Sequence, residues 1–136
     1  MNENEINAVR RLAEQGYAEA QFMLGFCYRQ GLGVEQSDSK AVEWCERAAE
    51  QGHEDAQLLL GMSYADGLGI EQSDSKAVEW FEKSAEQGNA CAQFNLGVFY
   101  AKGLFGVEQS NSKAVEWYKR AAEQGYTKAQ LALGMK

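Results

Sequence analysis

The stretch Glu35-Gln36-Ser37-Asp38-Ser39-Lys40-Ala41-Val42-Glu43-Trp44 decides the fold, because the chain repeats it. It recurs unchanged at residues 71–80 and again at residues 108–117, where Asn111 replaces the aspartate. The tryptophans that end successive copies are 36 and 37 residues apart. Self-similarity at a period of about 20–50 residues is typical of solenoids and related repeat arrays. The repetition therefore predicts a stack of equivalent units.

The loops that precede the repeated stretch set the register. They read GLGV at residues 31–34, GLGI at 67–70 and GLFGV at 103–107, so Phe105 is an insertion in the third copy. The sequence predicts one repeat domain over residues 1–136. Its parts are an N-terminal capping helix at 1–16, repeats at 17–52, 53–88 and 89–125, and a partial C-terminal repeat at 126–136.

All 14 glycines fall at equivalent positions of the repeat, and the chain has no proline. One class, such as Gly52, follows Glu-Gln and is predicted to end a helix with positive φ. A second class, which includes Gly25 and Gly134, follows leucine inside a helix, where a missing side chain lets a neighbouring helix approach. Two more classes form a Gly-x-Gly loop. After that loop, Ser37 or Asp38 is predicted to cap the next helix.

Each repeat is predicted to contain two amphipathic helices. In the first helix, Ala20, Leu24 and Tyr28 recur at a spacing of four and face one way. The second helix has an apolar stripe that includes Val42 and Cys45 and a charged opposite face. One hairpin cannot bury both of its faces, so the copies must stack. The fold class is therefore all-α, an α/α solenoid of stacked helix–loop–helix repeats.

The composition of the chain disfavours several classes of partner and site. The net charge of −7 disfavours partners that are themselves polyanions, including nucleic acid and anionic membranes. The apolar runs are far shorter than the roughly 20 residues of a membrane span, and residues 1–5 do not start a signal peptide. We therefore expect a cytoplasmic protein without membrane insertion. The three cysteines form no CxxC pair, so we predict neither a metal site nor a cofactor.

The residues shared by the copies resemble the Sel-one-like repeat (SLR) family, a relative of the tetratricopeptide repeat. In the first copy the matching positions are Ala20, Leu24, Gly25, Tyr28, Gly31, Gly33, Val34, Asp38, Lys40, Ala41, Trp44, Ala48, Ala49 and Gly52. The resemblance implies a right-handed superhelix with the first helices on its concave side, and a role as a scaffold or adaptor between proteins. Some secreted members carry paired cysteines within each hairpin, and the unevenly placed cysteines here depart from that pattern.

Partner-binding residues are expected where the copies differ on the first helices. The candidate positions are Glu19, Phe22, Met23, Phe26, Gln30, Asp55, Leu58, Leu59, Met62, Asp66, Cys91, Phe94, Asn95, Val98 and Lys102. Together they predict a shallow groove with an apolar floor that takes an extended or helical segment of a partner protein. For Phe22, Leu58 and Phe94, packing between hairpins is an equal alternative. Phe105 is a second candidate as an exposed aromatic anchor, and a loop insertion without a function is the alternative.

An enzyme is not predicted. The one histidine, His53, is expected at the surface, and the chain contains no nucleophile-elbow or phosphate-loop motif. Two other functions remain open beside the adaptor. One is end-to-end self-association through residues 131–136, which are predicted to lie in a first helix that no second helix covers. The other is an inhibitor or immunity-type regulator of a partner enzyme.

Overall fold

A computed structural model describes residues 1–134 of the chain. In this part of the chain every regular element is an α-helix. The helices are α1 (Glu3–Glu14), α2 (Ala18–Gln30), α3 (Asp38–Glu50), α4 (Glu54–Asp66), α5 (Asp74–Glu86), α6 (Ala90–Lys102), α7 (Asn111–Glu123) and α8 (Thr127–Ala132). Each helix packs mainly on the helices that precede and follow it in the sequence. The predicted all-α solenoid is confirmed, with α2, α4 and α6 as first helices and α3, α5 and α7 as second helices.

The second helices begin where the repeated stretch predicts. Ser37 is the N-cap of α3, and its hydroxyl accepts a hydrogen bond from the backbone N–H of Lys40 at 3.3 Å. Ser73 and Ser110 cap α5 and α7 in the same way. Of the two candidate caps, the serine therefore takes the role, and Asp38 becomes the first residue of the helix. Its carboxylate adds a negative charge at the positive end of the helix dipole.

Each first helix crosses its second helix at a glycine. A Cβ atom placed on Gly25 would lie 2.7 Å from Sγ of Cys45, and one on Gly97 would lie 2.5 Å from the ring of Tyr118. The predicted close approach is confirmed at both crossings. Gly134 was predicted to belong to this class, and that prediction is wrong. It lies in a turn with a φ of +77°, and a side chain there would meet no atom within 4 Å, so no second helix in the described residues holds it in a helix.

The loops of the first two hairpins pack beside the start of the preceding helix. A side chain at Gly33 would lie 3.2 Å from the carbonyl oxygen of Met1, and a side chain at Gly69 would overlap the Asp38–Ser39 peptide. Gly106, the equivalent residue in the third loop, has no atom within 4 Å of its side-chain position. The third loop, which carries the insertion Phe105, therefore lacks this contact.

The two loop glycines give a test of this packing. Gly69 and Gly106 have φ values of +76° and +79°, so alanine adds a similar backbone strain of about 1 kcal/mol at either site. At Gly69 the new methyl group would also displace the backbone of Asp38. We therefore expect Gly69→Ala to lower the free energy of unfolding by at least about 2 kcal/mol more than Gly106→Ala, measured by urea denaturation. Equal losses would contradict the packing of this loop.

Candidate functional site

The predicted partner-binding residues all lie on the first helices, and we call this surface the first-helix face. It consists of the 15 candidate positions named from the sequence on α2, α4 and α6. The helices place equivalent residues of successive repeats in rows that run across the stack. The rows differ in how far their side chains are exposed to a partner.

The row of Glu19, Asp55 and Cys91 lies at the junctions between repeats. The Glu19 carboxylate contacts Nε2 of His53 at 2.6 Å, and Oδ1 of Asp55 accepts a hydrogen bond from Asn89 at 3.0 Å. At the third junction, burial raises the pKa of Tyr126, and its hydrogen bond with Cys91 raises that pKa further. Each of these residues therefore contacts the residue that begins the next first helix. Glu19 and Asp55 nevertheless remain exposed.

His53 is not the surface residue that the sequence predicts. Its side chain is only 13% exposed, because the ring stacks on Phe22 with the ring centroids 4.7 Å apart. Nδ1 accepts the backbone N–H of Ala56 at 3.1 Å and so caps α4. An acceptor nitrogen carries no proton, so the ring proton is on Nε2, which donates a hydrogen bond to the Glu19 carboxylate. Nε2 thus links two repeats, whereas Nδ1 caps the first helix of its own repeat.

The row of Phe22, Leu58 and Phe94 is half-buried between hairpins. Phe94 packs on Tyr118 and Tyr126, with centroid distances of 5.6 and 5.4 Å. Leu58 joins the core cluster formed by α5 and α6, and Phe22 packs against the cluster of α3 and α4. The sequence offers packing between hairpins as the alternative to partner binding at these three positions. The contacts of all three residues are of that packing kind.

The remaining rows carry the side chains that are most available to a partner. Met23 is 37% exposed and Phe26 is 39% exposed, and they are the most exposed apolar side chains of the first-helix face. The other apolar or amide residues of these rows are half-buried: Leu59, Met62, Asn95 and Val98. At the far end of the helices a row of differing charge is exposed: Gln30, Asp66 and Lys102. The apolar surface is therefore concentrated in the first repeat.

Phe105, the second candidate, packs inward. It has a φ of +56°, and its ring lies edge-on to that of Phe99 at a centroid distance of 4.8 Å. The residues equivalent to Phe99 in the other copies are the smaller Cys27 and Ser63. The inserted side chain thus covers a larger core residue. The contact fits a packing role for the ring better than that of an exposed aromatic anchor.

The side chains that could take part in catalysis or metal binding lie apart or are buried. Cys27 and Cys45 are free and buried, and burial raises the pKa of Cys45 to about 12, so its thiol stays protonated at neutral pH. Among residues 1–134 no group of three or more His, Cys, Asp or Glu side chains is arranged to hold a metal ion. His53, as described above, is committed to two structural hydrogen bonds.

A series of glutamines that the sequence reasoning missed connects the repeats. Gln57 is buried in α4, and its amide donates to the carbonyl of Ala49 at 3.1 Å and accepts from Gln87 at 2.7 Å. Gln21 and Gln93 make the equivalent pairs of contacts. The recurrence of Ala-Gln at one position of α2, α4, α6 and α8 was the available signal, because a polar residue kept on an apolar face requires hydrogen-bond partners.

Two glutamates on the second helices, Glu46 of α3 and Glu82 of α5, have raised pKa values. Burial, followed by the neighbouring charge of Glu86, raises the pKa of Glu82, and burial likewise raises the pKa of Glu46. The charged form is therefore less favourable in the folded protein than in the unfolded chain.

We expect the two hydrogen bonds of His53 to contribute measurably to the free energy of unfolding. Replacing His53 by alanine removes the cap of α4 and the bond to Glu19, and should lower the free energy of unfolding by about 1–2 kcal/mol. Tyr17 is the matched control, because it occupies the N-cap of α2 without a side-chain capping bond. Tyr17→Ala should change that free energy by less than about 0.5 kcal/mol. Urea denaturation measures both, and an equal effect would contradict the capping role.

The pKa of Glu82 predicts a pH-dependent gain in stability. A raised pKa in the folded state means that stability falls as pH rises from the ordinary value of 4.5 through the raised value. Glu82→Gln should therefore raise the melting temperature at pH 7, and the gain should disappear at a pH well below 4.5. Glu123→Gln, on the exposed side of α7, controls for the loss of one negative charge. A gain that persists in acid would refute the burial effect.

Across residues 1–134 no helix combines the length and the apolar character needed to cross a membrane. The family model described as Sel1 repeat matches residues 18–53, 54–89 and 92–126. No curated protein matches the chain. Sel1 repeat proteins generally mediate protein–protein interaction, and the family is typically a non-catalytic scaffold.

Solved structures give the same assignment. A Sel1 repeat protein from Oxalobacter formigenes is 37% identical, with a TM-score of 0.89 over 96% of this chain and 52% of that one. The protein c5321, a protective antigen present in uropathogenic Escherichia coli strains with an SLR fold, is 38% identical, with a TM-score of 0.85 over 92% of this chain and 27% of that one. Cysteine rich protein B of Helicobacter pylori has the same fold at 18% identity, with a TM-score of 0.74 and 93% of both chains covered. The chain thus spans about half of the first relative and about a quarter of the second. Because the family model also matches more than half of its residues, the chain belongs to the Sel1 repeat family.

Proposed function

We propose that this protein is a protein-binding adaptor that holds a segment of a partner protein along its first-helix face. The observation that carries this proposal is the exposure of Met23 and Phe26 beside each other on α2, with the rings of Phe26 and Phe22 6.3 Å apart. Neither exposed side chain is needed to fill the core, whereas the shared residues of α2, such as Leu24, are fully buried. Flexible methionine and aromatic side chains suit apolar contact with a partner.

The charges along this face would set the direction of the bound segment. The exposed row at the end of the first helices changes from Gln30 to Asp66 to Lys102. An exposed carboxylate, Glu19, also stands at the other end of α2. A partner segment with an apolar centre and charges of both signs matches this pattern in one direction only, because like charges placed opposite each other reduce affinity.

The junction contacts give the face a rigid base. Glu19, Asp55 and Cys91 each contact the start of the next first helix, and Phe22 and Phe94 pack between hairpins. We therefore assign these five residues mainly to the positioning of the first helices. Recognition is assigned to Met23, Phe26 and Met62, together with the exposed charged row.

The test begins with affinity capture from the source cell, which identifies a partner, followed by calorimetric titration of that partner. The double variant Met23→Ser/Phe26→Ser should weaken binding by about tenfold or more, as expected for the removal of two apolar anchors. The matched control is Leu12→Ser/Val115→Ser, which removes two apolar side chains that are similarly exposed on α1 and α7. Unchanged binding by the first variant, or equal weakening by the control, would overturn the proposal.

The same measurements separate the two other functions. A module that mainly self-associates through residues 131–136, of which Met135 and Lys136 lie outside the described residues, should retrieve only its own chain. Its mass by light scattering should also rise with concentration. Leu131, which is 68% exposed, is the side chain to replace in that case. A regulator of an enzyme should instead change the activity of the captured partner when the two are mixed.

A further inference from the structure

A second apolar surface lies at the opposite end of the hairpins from the N-termini of the first helices. We call it the loop edge, and it consists of the loops from first to second helices and the first two residues of each second helix, which are residues 31–39, 67–75 and 103–112. Each of its three loops exposes a leucine: Leu32 at 44%, Leu68 at 41% and Leu104 at 39%. The same residue type is thus held in the same exposed position in three successive repeats.

These leucines are not needed to fill the core of the protein. The apolar residue that the loops turn inward is the one after the second glycine, and Val34, Ile70 and Val107 each pack against a core cluster. A polar side chain in place of the leucine would leave those contacts intact. Equivalent leucines in three successive repeats of a solenoid can together contact one elongated partner.

A cleft lies beside the inserted Phe105 in the loop edge. In the first two loops Gly33 and Gly69 lie against the preceding helix start, whereas Gly106 does not. The cleft between the third loop and α5 has a volume of about 360 Å³. It is lined by Asp74, Ser75, Val78, Phe105, Gly106 and Val107. Its walls are largely apolar, so it can accept an apolar side chain from outside.

The charge of the loop edge indicates what kind of partner fits. Its three segments contain five carboxylates, Glu35, Asp38, Glu71, Asp74 and Glu108, and no lysine, arginine or histidine. The two aspartates accept hydrogen bonds from Gln36 and Gln72, whereas the three glutamates form no ion pair within residues 1–134.

The lysines that follow the three segments lie over tyrosine rings rather than in ion pairs with these carboxylates. Lys40 lies over the ring of Tyr28 with its Nζ 5.5 Å from the ring centroid, and Lys76 and Lys113 lie over Tyr64 and Tyr100 in the same way. The loop edge therefore combines exposed leucines with carboxylates that form no ion pair in the described part of the chain. A membrane with anionic headgroups is repelled by such a surface, and a cationic peptide is attracted.

We propose that the loop edge binds the apolar face of a cationic amphipathic segment of another protein, with one apolar side chain of that segment seated in the cleft beside Phe105. The loop edge begins one residue after Gln30, Asp66 and Lys102, so it adjoins the first-helix face at the ends of the first helices. The chain would contact partner protein through both surfaces. The exposed leucines supply apolar contact, and Glu35, Glu71 and Glu108 attract the lysines or arginines of the partner.

The probe is a synthetic amphipathic helix made of leucine and lysine, titrated by fluorescence anisotropy into the full chain. The variant Leu32→Ser/Leu68→Ser/Leu104→Ser should bind it about tenfold or more weakly, because three apolar contacts are lost at unchanged charge. The control variant Leu12→Ser/Val115→Ser, which removes two similarly exposed apolar side chains outside both surfaces, should bind it as the parent does. Equal affinity for the leucine variant and the parent overturns the proposal, as does an equal loss in the control.

A second pair of matched variants tests the cleft. Ser75→Trp should fill the cleft and weaken binding, whereas Ser39→Trp, at the equivalent position where Gly69 already closes the gap, should not. A probe with glutamate in place of lysine should not bind the parent. Leucine-dependent binding of the chain to vesicles of zwitterionic lipid would overturn the proposal in favour of a membrane surface. Leucine-dependent dimerisation in sedimentation would overturn it in favour of a second copy.

Discussion

The distance between the two helices of each hairpin is the constraint on which the rest of the structure depends. At Gly25, Gly61 and Gly97 the first helix lacks a side chain, and the second helix lies where a Cβ atom would contact it. This approach brings the leucine before each glycine fully into the core, since Leu24, Leu60 and Leu96 are at most 1% exposed. The rows of the first-helix face and the line of the loop edge follow from repeating that distance.

Most of the fold could be predicted from the sequence, because the signals are local and occur several times. A serine N-cap and a glycine at a helix end depend on the residues next to them, and three copies exclude coincidence. The prediction for Gly134 was wrong because a glycine stays in a helix only where tertiary packing outweighs its low helix propensity. The position of His53 was missed for a related reason. Its burial depends on Phe22 and Glu19, which are more than 30 residues away.

The candidate site was less predictable than the fold. Differences between copies identified the first-helix face, yet they could not separate residues that contact a neighbouring repeat from residues that contact solvent. Phe22 and Phe26 are both aromatic and are one helical turn apart, but Phe22 is half-buried whereas Phe26 is exposed. Conversely, the exposed leucines of the loops and the buried glutamines are the same in every copy. Comparing copies therefore could not distinguish a shared residue of the core from a shared residue of the surface.

The three junctions join nearly identical repeats with three different pairs of side chains. An imidazole meets a carboxylate at the first junction, an amide meets a carboxylate at the second, and a phenol meets a thiol at the third. The covalent chain fixes the order of the repeats, but a helix can still pair with a non-adjacent copy of almost the same sequence while the chain folds. The shared core residues would not oppose such a contact. The unlike pairs do oppose it, because a wrong neighbour leaves a helix start without its partner, and they thus favour contact between each repeat and its neighbour in sequence.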